Sequence, residues 1–264
     1  TELVVHRKFG RSSLKQTYGM RAGSARLDVH FDIDWQEDEK LLSFNVPLDV
    51  KADEAACDIQ FGHVRRPTHA SSSWDAAKFE VCAHRFVDIT EPSFGVAVLN
   101  DGRFGHSVQG SGVSVSLLRA AKYPDPEADH GPHAVTISVL PHGGGLYDVL
   151  HEAEALNMPL RVVTGRASGP KPPVVTIDHR GVQITSVKHA DDESGDLIVR
   201  LYEACGDRVV ATVRTPSPIG SALRCNLLEE PQGGIECSDG IVSLTLLPFE
   251  IVTLRLAERR VAIR

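Results

Sequence analysis

The sequence predicts an all-β protein, with a large antiparallel β domain first and a small β-sandwich second. Two observations support this fold class. Apolar and polar residues alternate with a period of two through the first part of the chain, which is typical of half-buried strands. Short predicted strands then follow at regular intervals, separated by turn sequences, which is typical of a sandwich. A chain of 264 residues is long enough for both domains.

The alternation is clearest in residues 27–35, where one face is polar and the other carries Leu27, Val29, Phe31, Ile33 and Trp35. A second alternating run covers residues 42–50, and the charged residues 36–40 separate the two runs. We therefore predict a hairpin of two long antiparallel strands with one wet face. Pro47 has no N–H to donate to a ladder, which favours an edge or bulged strand for the second run.

One helix is predicted near the end of the first domain, because apolar residues follow the helical spacing at Leu146, Val149, Leu150, Ala153 and Leu156. Pro159 should end this helix, because the residue before a proline is pushed out of the α region. Large aromatic residues of the first domain, Trp35 and Phe79, are predicted to be buried.

Residues 164–173 are rich in glycine and proline and show no apolar period, which is typical of a linker. We therefore predict two domains, 1–167 and 168–264. Six short strands are predicted in the second domain, around residues 174–177, 182–187, 197–202, 209–213, 241–247 and 251–256.

Composition and charge exclude some function classes. The net charge is −7, the pI is about 5.9, and no basic run is longer than two residues, which argues against a nucleic-acid partner. No run of about 18 apolar residues occurs, so no membrane partner is expected. The first residues show no signal-peptide pattern and read like a strand entered within a domain, which predicts a cytoplasmic location and an interior fragment.

Five cysteines are widely spaced, and no two are separated by only two residues. This pattern argues against a disulfide framework and against a zinc ribbon. We therefore expect buried free thiols in a reducing compartment.

Several long motifs occur in a distinctive order, at residues 59–69 (IQFGHVRRPTH), 74–86 (WDAAKFEVCAHRF), 95–105 (GVAVLNDGRFG), 116–119 (SLLR), 124–131 (PDPEADHG) and 247–251 (LPFEI). In this order they resemble the β region that follows the catalytic domain of glycoside hydrolase family 38 α-mannosidases, of the bacterial and fungal-vacuolar type. The resemblance extends over nearly the whole chain.

This resemblance implies a large antiparallel β supersandwich like those of mutarotase-related domains, followed by a small C-terminal β-sandwich. It also implies that the parent enzyme is a retaining, exo-acting α-mannosidase. In such enzymes an aspartate is the nucleophile, a second carboxyl group is the acid and base, and zinc is held by His and Asp side chains. Those residues lie on an α/β barrel that precedes this region.

None of the family's catalytic or zinc-binding positions has a match in this chain. We therefore expect no catalytic residue, no metal and no cofactor here, with zinc in the missing catalytic domain. The expected partners are the protein's own N-terminal catalytic barrel and mannose-containing glycans. Because the family includes oligomeric enzymes, a homo-oligomeric parent is also an expectation.

Two groups of residues are candidates for the substrate cleft. Asn100, Asp101 and Arg103 lie at an Asp-Gly sequence that predicts a type I′ hairpin turn, whose tip could reach a neighbouring cleft. An ordinary solvent-exposed turn is the alternative. Trp74 beside Asp75 is a reasonable platform for a sugar ring, and the alternative is a buried tryptophan that anchors residues 70–73.

A dense group of acids and histidines, Asp125, Glu127, Asp129, His130 and His133, looks like a metal cluster. Its spacing matches no standard site, so we interpret it as a structural loop.

Three functions remain open. The chain is an enzyme fragment that is inactive alone, a self-standing carbohydrate-binding module, or an oligomerisation module. The low aromatic content of 6% argues against a binding module.

Overall fold

The computed structural model describes residues 1–110, 112–165, 169 and 171–258. Contacts divide the chain into two compact units. The first contains Thr1–Gln60 and Val64–Leu160, and the second contains Phe61–His63 and the described residues from Arg161 onward. The predicted boundary between residues 167 and 168 falls outside the described residues, so it stays a prediction.

Among the described residues, the first unit has twelve strands and two helices, and the first two residues of the sixth strand cluster with the second unit. The strands are β1 (Glu2–Phe9), β2 (Ser12–Met20), β3 (Leu27–Trp35), β4 (Leu42–Pro47), β5 (Glu54–Ile59), β6 (Gly62–Pro67), β7 (Val81–Cys82), β8 (Phe86–Thr90), β9 (Gly95–Asn100), β10 (Gly105–Gln109), β11 (Gly112–Leu118) and β12 (Gly131–His142). The helices are α1 (Ser73–Ala76) and α2 (Tyr147–Asn157).

These strands form two antiparallel sheets. The larger has eight strands in the order β1-β2-β3-β12-β9-β8-β5-β6, and the smaller has four in the order β4-β11-β10-β7. One apolar core contains side chains from both sheets, such as Phe31 and Ile137 from the larger and Val113 and Val115 from the smaller. The unit is therefore a sandwich of two sheets, which confirms the predicted all-β class.

The predicted hairpin of β3 with β4 is wrong. β3 pairs with β2 and with β12, whereas β4 pairs with β11 in the other sheet. Residues 36–40 therefore carry the chain from one sheet to the other. The alternation in both strands is as predicted, because each strand turns its apolar face toward the same core.

Two other local predictions for this unit are confirmed. β4 is an edge strand of the smaller sheet and ends at Pro47. This position suits a proline, because proline has no N–H to donate to a neighbouring strand. Helix α2 buries Val149, Leu150 and Ala153, and its C-cap residue Met158 leaves the helical region with φ −121° and ψ 69°.

Trp35 is buried as predicted, with 3% of its surface exposed, but Phe79 is 69% exposed. The prediction of a buried Phe79 is wrong. Phe79 lies in the irregular stretch between α1 and β7. The alternation of apolar and polar residues predicts burial only within strands, so it does not apply to Phe79.

In its described residues, the second unit is a smaller sandwich with nine strands. They are β13 (Thr176–Ile177), β14 (Val182–His189), β15 (Leu197–Glu203), β16 (Val209–Arg214), β17 (Ile219–Cys225), β18 (Pro231–Ile235), β19 (Cys237–Ser238), β20 (Ile241–Leu246) and β21 (Ile251–Glu258). One sheet has the order β13-β16-β20-β19 and the other β14-β15-β21-β17-β18, and one apolar core contains residues of both.

The sequence predicted six of these strands and missed β17, β18 and β19. In β17 the register with β21 shifts between Ile219 and Ser221, which breaks the period of two. β18 begins with Pro231 and contains Gly233 and Gly234, so it lacks the apolar residues on which a strand prediction depends.

None of the described helices has the length and apolar character needed to cross a membrane. All five cysteines are free, as predicted, but only Cys57 and Cys225 are buried. Cys205 and Cys237 are partly exposed, and Cys82 is exposed, so the expectation of uniformly buried thiols is wrong.

Candidate functional site

The predicted cleft residues Asn100, Asp101 and Arg103 lie where the chain leaves β9 and crosses to β10. These strands belong to different sheets, so the predicted hairpin between them is wrong. Gly102 has φ +135°, whereas Asp101 stays out of the left-handed region that a type I′ turn requires at both central positions. The segment is a crossover between sheets.

Asn100 shapes this crossover from the inside, because its side chain is fully buried. Its Oδ1 accepts hydrogen bonds from the N–H groups of Gly102 and Arg103, at 2.9 and 2.7 Å. Its Nδ2 donates to the carbonyl oxygen of His84 at 2.7 Å. The asparagine thus positions Gly102 and Arg103.

Asp101 and Arg103 are the more accessible members of this group. The Oδ2 atom of Asp101 accepts a hydrogen bond from the N–H of Thr136 at 2.9 Å. This bond attaches the exposed crossover segment to strand β12. Arg103 is partly exposed, and its buried Nε has no hydrogen-bond acceptor among the described residues. The neighbouring Phe104 is 52% exposed and packs against His84 with ring centroids 5.3 Å apart.

Trp74 and Asp75 lie on the short helix α1, away from any strand. Trp74 is 80% exposed, so the alternative of a buried anchor is wrong, and its face is open to a ligand. Asp75 forms a capping box with Ser72, whose Oγ accepts from the Asp75 N–H at 3.1 Å. Hydrogen bonds from Ser72 hold the pKa of the Asp75 carboxyl below its ordinary value. Within the described residues, no hydrogen bond or ion pair joins this pair to the crossover at residues 100–103.

The acids and histidines at residues 125–133 form hydrogen bonds to other parts of the protein and to each other. Oδ2 of Asp129 accepts from the N–H groups of Arg119 and Ala120, both at 2.8 Å. The Nε2 of His130 lies 2.8 Å from Oδ1 of Asp38, and the Nε2 of His133 lies 2.8 Å from the Asp129 carbonyl oxygen. In the described chain, no three His, Cys, Asp or Glu side chains are arranged to hold a metal ion.

A buried polar network was missed by the sequence analysis. Nε2 of His142 lies 2.8 Å from Oδ1 of Asp88, and the Thr90 hydroxyl donates to Oδ2 of the same carboxylate at 2.5 Å. Gly95 lies against this network, since a Cβ there would be 2.4 Å from Thr90 Oγ1 and 2.6 Å from the His142 ring. Only 1% and 3% of the His142 and Asp88 side chains are exposed, so the network supports packing and does not reach solvent.

Two family profiles match the chain in order. "Glycosyl hydrolases family 38 C-terminal domain" matches residues 1–127, and "Glycosyl hydrolases family 38 C-terminal beta sandwich domain" matches residues 181–254. Together they match well over half of the chain.

Curated relatives agree with these profiles. The chain is 38% identical over 253 residues to "Alpha-mannosidase 2C1" of Homo sapiens, covering 93% of this chain and 24% of that protein. It is 33% identical to "Alpha-mannosidase G" of Dictyostelium discoideum and 30% identical to "Alpha-mannosidase" of Saccharomyces cerevisiae, covering 93% and 92% of this chain and 24% and 25% of those proteins. The chain spans about a quarter of the length of these relatives.

A solved structure agrees on the fold. The crystal structure of an α-mannosidase from Enterococcus faecalis V583 superposes with a TM-score of 0.78 at 22% identity, covering 92% of this chain and 29% of that one. The chain belongs to glycosyl hydrolase family 38 and corresponds to the C-terminal β region of its α-mannosidases.

Proposed function

We propose that this chain is the structural and cleft-supporting C-terminal part of a longer α-mannosidase that hydrolyses terminal α-mannosides. One observation carries the proposal. Relatives named as α-mannosidases align over more than nine tenths of this chain, yet the chain spans only about a quarter of their length. The proposed partners are therefore the protein's own N-terminal catalytic barrel and mannose-containing glycans. A cytoplasmic location and a homo-oligomeric parent belong to the same proposal.

The proposed chemistry of the parent is retaining hydrolysis, with a carboxylate nucleophile and a second carboxyl group as acid and base. Zinc is the proposed cofactor of the parent. The described residues do not fit a zinc site, because their acids and histidines are engaged in separate pairs such as Asp38 with His130 and Asp88 with His142. We propose that the residues that hold the zinc of the parent enzyme belong to the catalytic domain and not to this chain.

The isolated chain is proposed to be inactive. Its buried acids are used to hold the backbone: Oε1 of Glu203 accepts from the N–H of Cys205, and its Oε2 accepts from the N–H groups of Gly206, Asp207 and Phe249. Asp58 is likewise held in a bidentate pair with Arg85. Such carboxylates are poorly placed to attack a sugar or to transfer a proton to it.

The test is hydrolysis of an aryl α-mannoside by the 264-residue chain alone, with and without added zinc, beside a gene product extended at its N-terminus. We expect turnover only from the extended protein. Turnover by the 264-residue chain would contradict the proposal, because a complete active site would then lie within it.

Within the extended protein, Asp101→Ala and Arg103→Ala test the cleft-supporting role. Because Arg103 is partly exposed and lacks an acceptor for Nε among the described residues, we expect Arg103→Ala to raise KM for the mannoside. Arg208→Ala is a matched control, since Arg208 is an exposed arginine of the second unit. Equal KM values for the two variants would argue against contact between this crossover and substrate.

A second candidate function is direct carbohydrate binding, favoured by the 80% exposure of Trp74 beside Asp75. An exposed aromatic face suits stacking on the C–H groups of a sugar ring. The check is a titration of the 264-residue chain with methyl α-mannoside while Trp fluorescence is followed. Binding that is lost in Trp74→Ala would support this function, and an unchanged spectrum at saturating sugar would rule it out.

A further inference from the structure

A small cavity of about 120 Å³ lies in the first unit, against the edge strands β6 and β7 and against β10, which neighbours β7. Apolar side chains of Val81 and Val108 form part of its wall. Arg65, Arg66 and Lys78 also line it, together with His69. The cavity therefore combines apolar walls with an unusual density of cationic groups.

The positive charge of the cavity is poorly balanced. Asp75 is the one carboxylate among the lining residues, against Arg65, Arg66 and Lys78. Its Oδ2 already accepts hydrogen bonds from the N–H and the hydroxyl of Ser72, at 3.2 and 2.7 Å. In the part of the chain that the structure describes, none of the three cations forms an ion pair within 4.0 Å. The cavity thus carries a net positive charge that a bound anion would neutralise.

Arg66 gives the second, independent observation. Its Nε is buried and has no hydrogen-bond acceptor among the described residues. Burial raises the pKa of the Cys57 thiol to about 11, and the charge of Arg66 and its hydrogen bond to this thiol oppose the rise only in part. The thiol therefore stays neutral and cannot balance the guanidinium. A partly buried guanidinium that has no protein carboxylate as its partner is costly, and an anion in the cavity that Arg66 lines would balance its charge.

The size of the cavity restricts the ligand. A volume of about 120 Å³ is well below the 300–1,000 Å³ typical of sites that enclose a whole small molecule. A single tetrahedral oxyanion fits this space, and arginine presents a planar fork of N–H donors that matches phosphate oxygens.

We propose that this cavity binds a phosphate group, with Arg66 as the principal donor and Lys78 and Arg65 supplying charge. The phosphate could be free inorganic phosphate or the phosphate of a monoester whose organic part remains outside. This inference is independent of the function proposed above.

The experiment is isothermal titration calorimetry of the 264-residue chain with inorganic phosphate and, separately, with methyl phosphate and a hexose 6-phosphate. All titrations are made at one ionic strength set with sodium chloride. We expect saturable binding of one anion per chain. Preference for inorganic phosphate would identify the free ion as the ligand, and preference for the hexose phosphate would identify a sugar monoester. Both outcomes support the proposal.

Variants connect the binding to the cavity. Arg66→Gln should weaken phosphate binding by about tenfold or more, because a hydrogen-bonded charge is removed. Lys78→Gln should weaken it by a few-fold, and Arg208→Gln in the second unit should leave it unchanged. If Arg66→Gln fails to fold, Lys78→Gln decides the question, since Lys78 is exposed and its replacement should leave the fold intact. No saturable binding of any of the three anions would overturn the proposal, and so would wild-type affinity in Lys78→Gln.

Discussion

The ring of Phe31 on β3 meets the ring of Phe44 on β4 edge to face, with centroids 5.1 Å apart and 73° between the ring planes. The two strands belong to opposite sheets of the first unit, so this contact spans the core. Phe31 is almost fully buried and belongs to the core on the side of the larger sheet. Phe44 packs against this core from the edge strand of the smaller sheet. The pair thus joins two strands that are close in sequence but share no hydrogen bonds.

Replacing Phe31 by Ala should lower the free energy of unfolding of the first unit by about 3–5 kcal/mol, because a large buried aromatic leaves a cavity. Phe79→Ala, at a 69% exposed position, should change it by less than about 0.5 kcal/mol. Urea unfolding followed by tryptophan fluorescence is the measurement, since Trp35 is buried and both tryptophans lie in this unit. Similar losses of stability in the two variants would contradict the burial of Phe31 and the exposure of Phe79.

Asn100→Ala should destabilise the first unit by about 2–4 kcal/mol, because three buried hydrogen bonds lose their partner. Asn100→Asp keeps the two acceptor bonds to Gly102 and Arg103. At a pH where the new carboxyl group is neutral, it should therefore reduce the stability of the first unit less than Asn100→Ala does. Asn45→Ala, at an exposed position of β4, is the control and should be nearly neutral. The same urea experiment measures all three, and equal midpoints for Asn100→Ala and Asn45→Ala would refute the role of Asn100.

The second unit should lose stability in acid through Asp192. Hydrogen bonds from Ser194 and the adjacent Arg255 lower the pKa of the Asp192 carboxyl to about 2. Because the pKa is lower in the folded state than in the unfolded one, the stabilisation is present above the ordinary pKa of about 3.8. It is lost as the pH falls toward 2.

The measurement compares the thermal midpoint of Asp192→Asn with that of the wild type between pH 7 and pH 2. We expect the variant to be less stable at pH 7 and the two midpoints to converge as the pH approaches 2. Asp239→Asn is the control, since the structure shows no ion pair for Asp239 in the described chain and its variant should follow the wild type. A difference for Asp192→Asn that stays constant with pH would show that its carboxylate charge does not contribute.

The five thiols should differ in reactivity toward a disulfide reagent at pH 8. Cys82 is exposed and should react first. Cys57 and Cys205 should react slowly, because burial raises the pKa of these thiols to about 11 and about 12, which leaves little thiolate. Thiol titration of the native chain and of Cys82→Ser gives the check, and a fast phase that survives in Cys82→Ser would contradict this assignment.

The sequence predicted the fold class, the alternation in β3 and β4, the edge position of Pro47 and the helix ending before Pro159. These features depend on local periodicity and on the missing proline N–H. The sheet to which each strand belongs could not be predicted in the same way. In a sandwich, strands of both sheets turn apolar faces to one core, so alternation in β3 and β4 is the same whether they pair or face each other.

The candidate site shows the same limit. The Asp101-Gly102 sequence has a strong local preference for a hairpin, but the buried Asn100 side chain imposes a crossover there instead. Arg65 and Arg66 were too short a basic run to indicate a site. The cavity around them arises only when β6 and the stretch 69–81 come together in the fold, which no spacing in the sequence reveals.

The pairing of β3 with β12 sets the order in which this unit can form. Leu27 is paired with Val139, and Trp35 with Gly131, so two neighbouring strands inside the larger sheet come from distant parts of the chain. During synthesis β1, β2 and β3 emerge as a meander, and the hydrogen-bonding edge of β3 stays without its partner until β12 leaves the ribosome. Closing such a long loop is entropically expensive and slow. A nascent chain arrested before residue 131 therefore presents an unpaired strand edge that is open to pairing with other chains, and that interval is when it most needs a chaperone.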